Sequence, residues 1–144
     1  MFISGITDTG ALPVLEKTVQ FAARRHELIA HNIANLSTPN FQPRDVSVTG
    51  FQAALAEAVD RRRARAAGRG PLDFPGTREV RPTAQGLRLR PMSPSHNVLF
   101  HDRNNRDLER TMQDMVENLT AFRAASDLLK NRMDLLNAAI RERP

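Results

Sequence analysis

Apolar residues recur along two stretches of this chain with alternating spacings of three and four. The first runs Leu12, Leu15, Val19, Ala22, His26, Ile29, Ile33, Leu36, with His26 the one polar occupant. The second runs Leu108, Met112, Met115, Leu119, Phe122, Ser126, Leu129, Met133, Leu136, Ile140, with Ser126 the one polar occupant. Spacing of this kind predicts a heptad seam on each of two long helices. Pro13 suits a first helical turn, where its missing N–H costs nothing. Thr38-Pro39 predicts the stop, because proline pushes the preceding residue out of the α region. A helix from Leu12 to Leu36 would be a rod of roughly 37 Å. The second is expected to open near Asn104-Asn105 as caps, with Asp107 and Glu109 in its first turn and Arg141 and Arg143 at its end, matching the helix dipole.

Between these stretches the period fades. Phe41 to Val48 alternates weakly and predicts extended chain. Thr49 and Gln52 have capping-box spacing and predict a short helix carrying Phe51, Leu55 and Val59. Residues 68–94 hold four glycines and five prolines and read as loop, except that Leu87-Arg88-Leu89-Arg90 alternates like a brief strand. The expected fold is mainly α. The long N- and C-terminal helices form an antiparallel, coiled-coil-like pair, with a short helix and an irregular Pro/Gly/Arg-rich segment between. The expected division is 1–48, 49–100 and 101–144.

Each long helix carries a second stripe, Val14-Phe21-Leu28 on one and Ala121-Leu128-Leu135 on the other, roughly 130° from its seam. A two-stranded coiled coil leaves such stripes in water. A wider buried face in a helical bundle and contacts with several neighbours in a polymer both account for them, and both ask for partners beyond one intrachain pair. Burying a leucine-sized side chain stabilises by about 1.5–3 kcal/mol, while ordering a residue costs on the order of 1–2 kcal/mol. Two helices sharing one narrow seam are therefore expected to be marginal alone.

Composition narrows the functional classes. Of the 144 residues 40% are hydrophobic, many of them alanine, with no Trp, Tyr or Cys. No apolar run is long enough for a membrane span, and no secretory signal peptide is visible at the N-terminus. Lack of cysteine excludes disulfides and thiolate metal sites. Residues 61–90 hold nine arginines against Asp73 and Glu79, a local excess of seven positive charges where the whole chain carries five. That segment leaves open a basic module binding an acidic partner or nucleic acid through Arg61–Arg90. Only Phe74 interleaves aromatically there, which disfavours nucleic acid.

Catalytic patterns fail on spacing. His26-Glu27-Leu28-Ile29-Ala30-His31 resembles a zinc-protease helix, but its histidines are five apart rather than four, which turns them about 140° from each other. His96 and His101 lack acidic neighbours at ligand spacing. No phosphate-binding glycine loop, Gly-x-Ser-x-Gly elbow or cysteine nucleophile occurs. The expectation is a non-enzyme without cofactor or metal.

The segment His31-Asn32-Ile33-Ala34-Asn35-Leu36-Ser37-Thr38-Pro39-Asn40-Phe41 resembles the N-terminal signature of bacterial flagellar axial proteins, Ala-Asn-Asn-Ile-Ala-Asn-x-x-Thr-Pro-Gly-Tyr. Asn32, Ile33, Ala34, Asn35, Thr38 and Pro39 match; His31, Asn40 and Phe41 depart. Asn40 stands where the signature has glycine, and asparagine tolerates the left-handed turn conformation. Arg44-Asp45-Val46, and Asn104-Asn105-Arg106-Asp107-Leu108-Glu109-Arg110-Thr111-Met112 before the last helix, are similar to the short proximal-rod members. Arg103 and Arg106 replace a usual glycine and valine. The similarity covers roughly residues 12–48 and 100–140.

The resemblance implies a structural subunit of the flagellar basal-body rod, needed for flagellum assembly and motility. It implies export by the flagellar type III apparatus without a cleaved signal, and stacking with itself and other rod proteins in the periplasm. Leu12, Leu15, Val19, Ile29, Ile33, Leu108, Met112, Leu119, Phe122, Leu129 and Leu136 are expected to carry helix pairing. Asn32, Asn35, Thr38 and Pro39 are expected to form the signature turn.

Overall fold

A computed structural model describes residues 10–66, 70–93 and 108–141. Its elements in chain order are α1 (Leu12–Ala34), α2 (Val48–Ala66), β1 (Val80–Thr83), β2 (Gly86–Leu89) and α3 (Leu108–Arg141). The expected caps Asn104 and Asn105, the first-turn Asp107, the terminal Arg143, and His96 and His101 lie outside the described residues.

Helix α1 opens with Pro13 in its first turn, as its missing N–H allows. It closes earlier than the Thr38-Pro39 stop. Asn35 donates both its backbone N–H (3.2 Å) and its side-chain amide (2.9 Å) to the carbonyl of His31. The chain then steps through tight turns, Leu36 N–H to Ile33 O and Thr38 N–H to Asn35 O. Asn40 takes φ 60°, the left-handed conformation expected where the signature carries glycine.

Helix α2 starts two residues ahead of the capping box read from Thr49. Ser47 is the cap, its Oγ accepting the Gly50 N–H at 2.9 Å. Thr49, already inside the first turn, meets the Ser47 hydroxyl at 3.2 Å instead. The helix then continues through the arginine run to Ala66.

The Pro/Gly-rich segment is more ordered than its composition suggests. Strands β1 and β2 form an antiparallel hairpin in the register Val80↔Leu89, Arg81↔Arg88, Pro82↔Leu87, Thr83↔Gly86. The brief strand read at Leu87–Arg90 is present as β2, and the loop expected before it is corrected at Val80–Thr83, for a physical reason. Val80, which is completely buried, and Leu87 sit on one face of the hairpin and pack with Phe74, Phe51 and Leu55. Gly76 (φ 81°) admits the approach of the Val80 carbonyl, which a Cβ would block.

The core that results is shared between this middle segment and α1. Phe21 stacks on Phe51 with ring centroids 4.0 Å apart and planes 2° apart, and Phe51 meets Phe74 edge-on at 5.6 Å. Val14 and Leu28 pack against the same cluster. The second stripe of α1 is therefore covered within the chain, without the further partners its spacing called for. The matching stripe of α3 is not covered: Leu128 is 55% and Leu135 62% exposed. Helix α3 lies against the other side of α1 and runs antiparallel to it. Asp114 sits beside Arg25, Asn118 beside Ala22, and Leu135 and Leu136 beside Leu12.

Candidate assembly site

The pairing surface is best built from α1 outward. Leu12 and Ile29 are buried, while Leu15, Val19 and Ile33 are half-buried. On α3, Leu119, Phe122, Leu129 and Leu136 are half-buried, and Leu108 and Met112 are each 46% exposed. The deepest α3 residues are Asn118 and Ala125, at 5% exposure each. A face centred on Met115, Asn118, Phe122 and Ala125 is turned by roughly 50° from the hydrophobic seam. Helix α1 shows the same displacement, since Ala22, Arg25, Ile29 and Asn32 are its buried inward positions while His26 and Ile33 flank them.

The polar members of these inward rows are satisfied by each other and by backbone, as burial requires. The Asn118 side-chain amide donates to the Ala22 carbonyl at 2.8 Å, across the helix pair. The small side chains of Ala22 and Ala125 leave room for that approach. Asn32 makes a two-way pair with one backbone unit: its Nδ2 donates to Arg44 O at 2.8 Å, and its Oδ1 accepts from Arg44 N–H at 3.1 Å. Arg25, one heptad earlier on the same face, grips the next residue. Its Nε donates to Asp45 Oδ1 at 3.0 Å and one terminal nitrogen to Asp45 Oδ2 at 2.7 Å, a bidentate fork. The same terminal nitrogen reaches Asp114 Oδ1 at 3.4 Å.

Asp45 joins three segments, and Arg25 adds α3 as a fourth. Asp45 Oδ1 also accepts the Val46 N–H at 2.8 Å. Its backbone bridges that of Met92 in both directions, at 3.1 and 3.0 Å. Arg25 thus fastens both the chain leaving α1 and helix α3 to one buried guanidinium, while the Asp45 backbone ties in the chain leaving the hairpin. Burial pulls the Arg25 pKa down, but the hydrogen bonds and charge of Asp45, with Asp114 behind, outweigh that and leave it raised. The cation is therefore fixed, and the arrangement acts as a clasp rather than as a proton-transfer site.

The signature residues divide by role. Asn32 is the inward anchor. Asn35 caps α1, and Thr38 and Pro39 lie exposed on the turn, with Thr38 Oγ1 3.5 Å from Asn35 Oδ1. His31 leaves the helix face to pack a tilted ring against Phe41, 5.6 Å between centroids. Arg25, Asp114 and Asn118 escape a hydrophobicity pattern because they are polar; the available signal was their seven- and three-four spacing relative to Ala22, Ile29 and Ala125. The arginine-rich segment is also partly structural. Arg62 is buried and donates to the Gly10 carbonyl at the start of α1, and Arg65 faces Asp73.

Long terminal helices are clasped antiparallel, with a small cap packed on α1 and an apolar stripe of α3 left exposed. No protein-family model matches the chain. It is similar to the flagellar basal body rod protein FlgB of Yersinia ruckeri, 29% identical over 126 residues, which span 88% of this chain and 83% of that protein. The chain is FlgB-like, and the similarity is long enough to include parts of both terminal helices and the cap between them.

Proposed function

We propose that this protein is a structural subunit of the proximal rod of the bacterial flagellar basal body, needed for flagellum assembly and motility. The similarity to FlgB across 88% of the chain is the observation that carries the reading. The antiparallel pair of α1 and α3 supports it, because a rod subunit needs stiff elements that stack along an axis. In this reading 1–48 and 101–144 are the axial segments and 49–100 is the cap that braces α1. Leu12, Leu15, Val19, Ile29, Ile33, Leu108, Met112, Leu119, Phe122, Leu129 and Leu136 carry pairing and stacking, and Asn32, Asn35, Thr38 and Pro39 set the chain's exit. The subunit leaves the cytoplasm through the flagellar type III apparatus, without a cleaved signal, and joins copies of itself and other rod proteins in the periplasm. It works mechanically and needs no cofactor.

The test is genetic and biochemical. Deleting the coding region abolishes motility and leaves basal bodies without a rod, and the tagged wild-type chain restores both and co-purifies with basal bodies. Ile33→Asp, which places a charge beside the inward row of α1, is expected to abolish incorporation while the chain is still exported. Motile deletion cells with normal basal bodies would contradict the proposal.

A further inference from the structure

Helix α3 carries a bare stripe that ends beside the first described residues of the chain. Leu128 and Leu135 are more than half exposed, and Ala121 and Ala124, exposed as well, continue their line toward the start of the helix. At about 100° per residue all four fall within an arc of about 60°. Arg132, also exposed, stands between the leucines about 40° round from Leu128. It has no acidic partner among the described residues. It is also the one charge on the stripe from Ala121 to Leu135, since Arg123, Asp127, Lys130 and Asp134 project about 100° or more from Leu128.

The end of the stripe is where the chain enters α1. Gly10, Ala11 and Leu12 enclose a hollow of about 240 Å³ with Arg132, Leu135 and Leu136. Gly10 takes φ 66° in a turn, and its carbonyl accepts from the buried Arg62. A Cβ there would meet nothing within 4 Å, so glycine answers to the left-handed backbone and not to crowding. Because α1 runs antiparallel to α3, such a turn suits a chain that arrives parallel to α3 and reverses into α1. The sequence ahead of the turn, Met1-Phe2-Ile3-Ser4-Gly5-Ile6-Thr7-Asp8-Thr9, has Phe2, Ile3 and Ile6 among its apolar residues and Asp8 as its one charged side chain.

We propose that residues 1–9 dock in extended form on the α3 stripe of the same chain, with Asp8 on Arg132 and Ile6 on Leu128. Side chains two residues apart in an extended chain share a face at a spacing of about 6.6 Å, and Leu128 and Arg132 are about 6 Å apart along the helix. Phe2 shares that face about 13 Å before Ile6. It comes over Ala121, about 10.5 Å before Leu128, where a small residue leaves room for the ring. The one acid of the segment meets the one base of the stripe. The segment also sets out from the end of the stripe, at a turn that Arg62 holds in place. Docking of this kind needs no neighbouring copy and stands independently of the rod reading.

The chain has no cysteine, so paired thiols report the contact without background. Two cysteines join only when their Cα atoms come within about 7 Å. In the purified full chain at low concentration, Ile6→Cys/Leu128→Cys is expected to oxidise to an intrachain disulfide about five-fold faster, or more, than Ile6→Cys/Lys130→Cys, whose second thiol lies about 160° round the helix. Non-reducing gels separate a bond within the chain from one between chains, and mass spectrometry of the linked peptides assigns it. Circular dichroism checks that each variant keeps its helix content. Adding Asp8→Arg is expected to slow closure about two- to five-fold, and adding Arg132→Asp as well is expected to restore it. Equal rates for the two cysteine pairs overturn the inference. So does a disulfide formed mainly between chains, which assigns the stripe to a second copy. Slowing by Asp8→Arg that Arg132→Asp fails to reverse overturns the assigned pairing of Asp8 with Arg132.

Discussion

Replacing Arg25 by methionine removes a guanidinium from the centre of the clasp while keeping an unbranched side chain of similar reach. The loss can be sized from the geometry. Arg25 is 6% exposed and makes a bidentate fork of 3.0 and 2.7 Å with Asp45. A hydrogen bond to a charged group contributes about 1.5–3 kcal/mol, and breaking a buried ion pair costs about 3–5 kcal/mol. The Asp45 and Asp114 side chains are 30% and 37% exposed and can be rehydrated, and Asp45 keeps its Val46 N–H. The lower end applies, about 3 kcal/mol. With a urea slope of about 2 kcal/mol per molar, the unfolding midpoint falls by roughly 1.5 M. Asp45→Asn keeps an acceptor but loses the charge and is expected to cost about 2 kcal/mol. Asp114→Asn, at 3.4 Å and near the surface, is expected to cost under about 1 kcal/mol.

The assay is urea unfolding of the purified chain followed by far-ultraviolet circular dichroism. The decisive quantity is the coupling in the Arg25→Met/Asp45→Asn double variant. Its cost is expected to fall short of the sum of the singles by about 2 kcal/mol. Because the Arg25 pKa is raised in the folded chain, its charged contribution is complete below the ordinary arginine range and is lost only as pH rises past the raised value. The Arg25 proton therefore gives no pH dependence near neutrality. Additive singles, or an unchanged midpoint for Arg25→Met, would refute the clasp.

Three further outcomes are expected. Asn32→Ala leaves the Arg44 N–H and carbonyl without their two-way partner, costing about 1–3 kcal/mol in the same unfolding assay; a change within error would show that water replaces the amide. Gly76→Ala drives a methyl group into the Val80 carbonyl at a positive φ, and is expected to lower the thermal midpoint by several degrees, about 1–3 kcal/mol; an unshifted melt would mean the hairpin yields freely. Hydrogen exchange followed by mass spectrometry is expected to find α1 more protected than residues 130–141 of α3, where only Leu136 is not exposed; equal protection would contradict one-sided docking.

The long helices were legible because Leu, Ile and Met at three-four spacing dominate any periodic reading. Their contact faces were less so, since the inward rows are completed by Arg25, Asn32 and Asn118, whose polarity hides them. Burial is earned there by specific partners, and partners are not visible in a periodicity. The hairpin was half legible: Leu87 to Arg90 alternates, but β1 carries Pro82 and two polar residues and shows its role only through Val80. The apolar surface that orders it is shared between Phe51 and Leu55 of α2 and Phe21 of α1, which lie tens of residues away in the chain, beyond any local window. In the signature turn the identities of Asn32 and Asn35 pointed to the right place. The partner of Asn32 is a backbone amide and carbonyl, and backbone carries no sequence label.

The clasp also permits a sequence of events. Every partner of Phe21 in the core lies between Val14 and Leu89, so that nucleus can close while the last helix is still unmade. Arg25 and Asp45 can then already be joined, with one face of α1 vacant. When α3 arrives it meets a prepared seat, and Asp114 and Asn118 lock it there late. A chain synthesised amino end first can thus complete the receptor before its ligand exists.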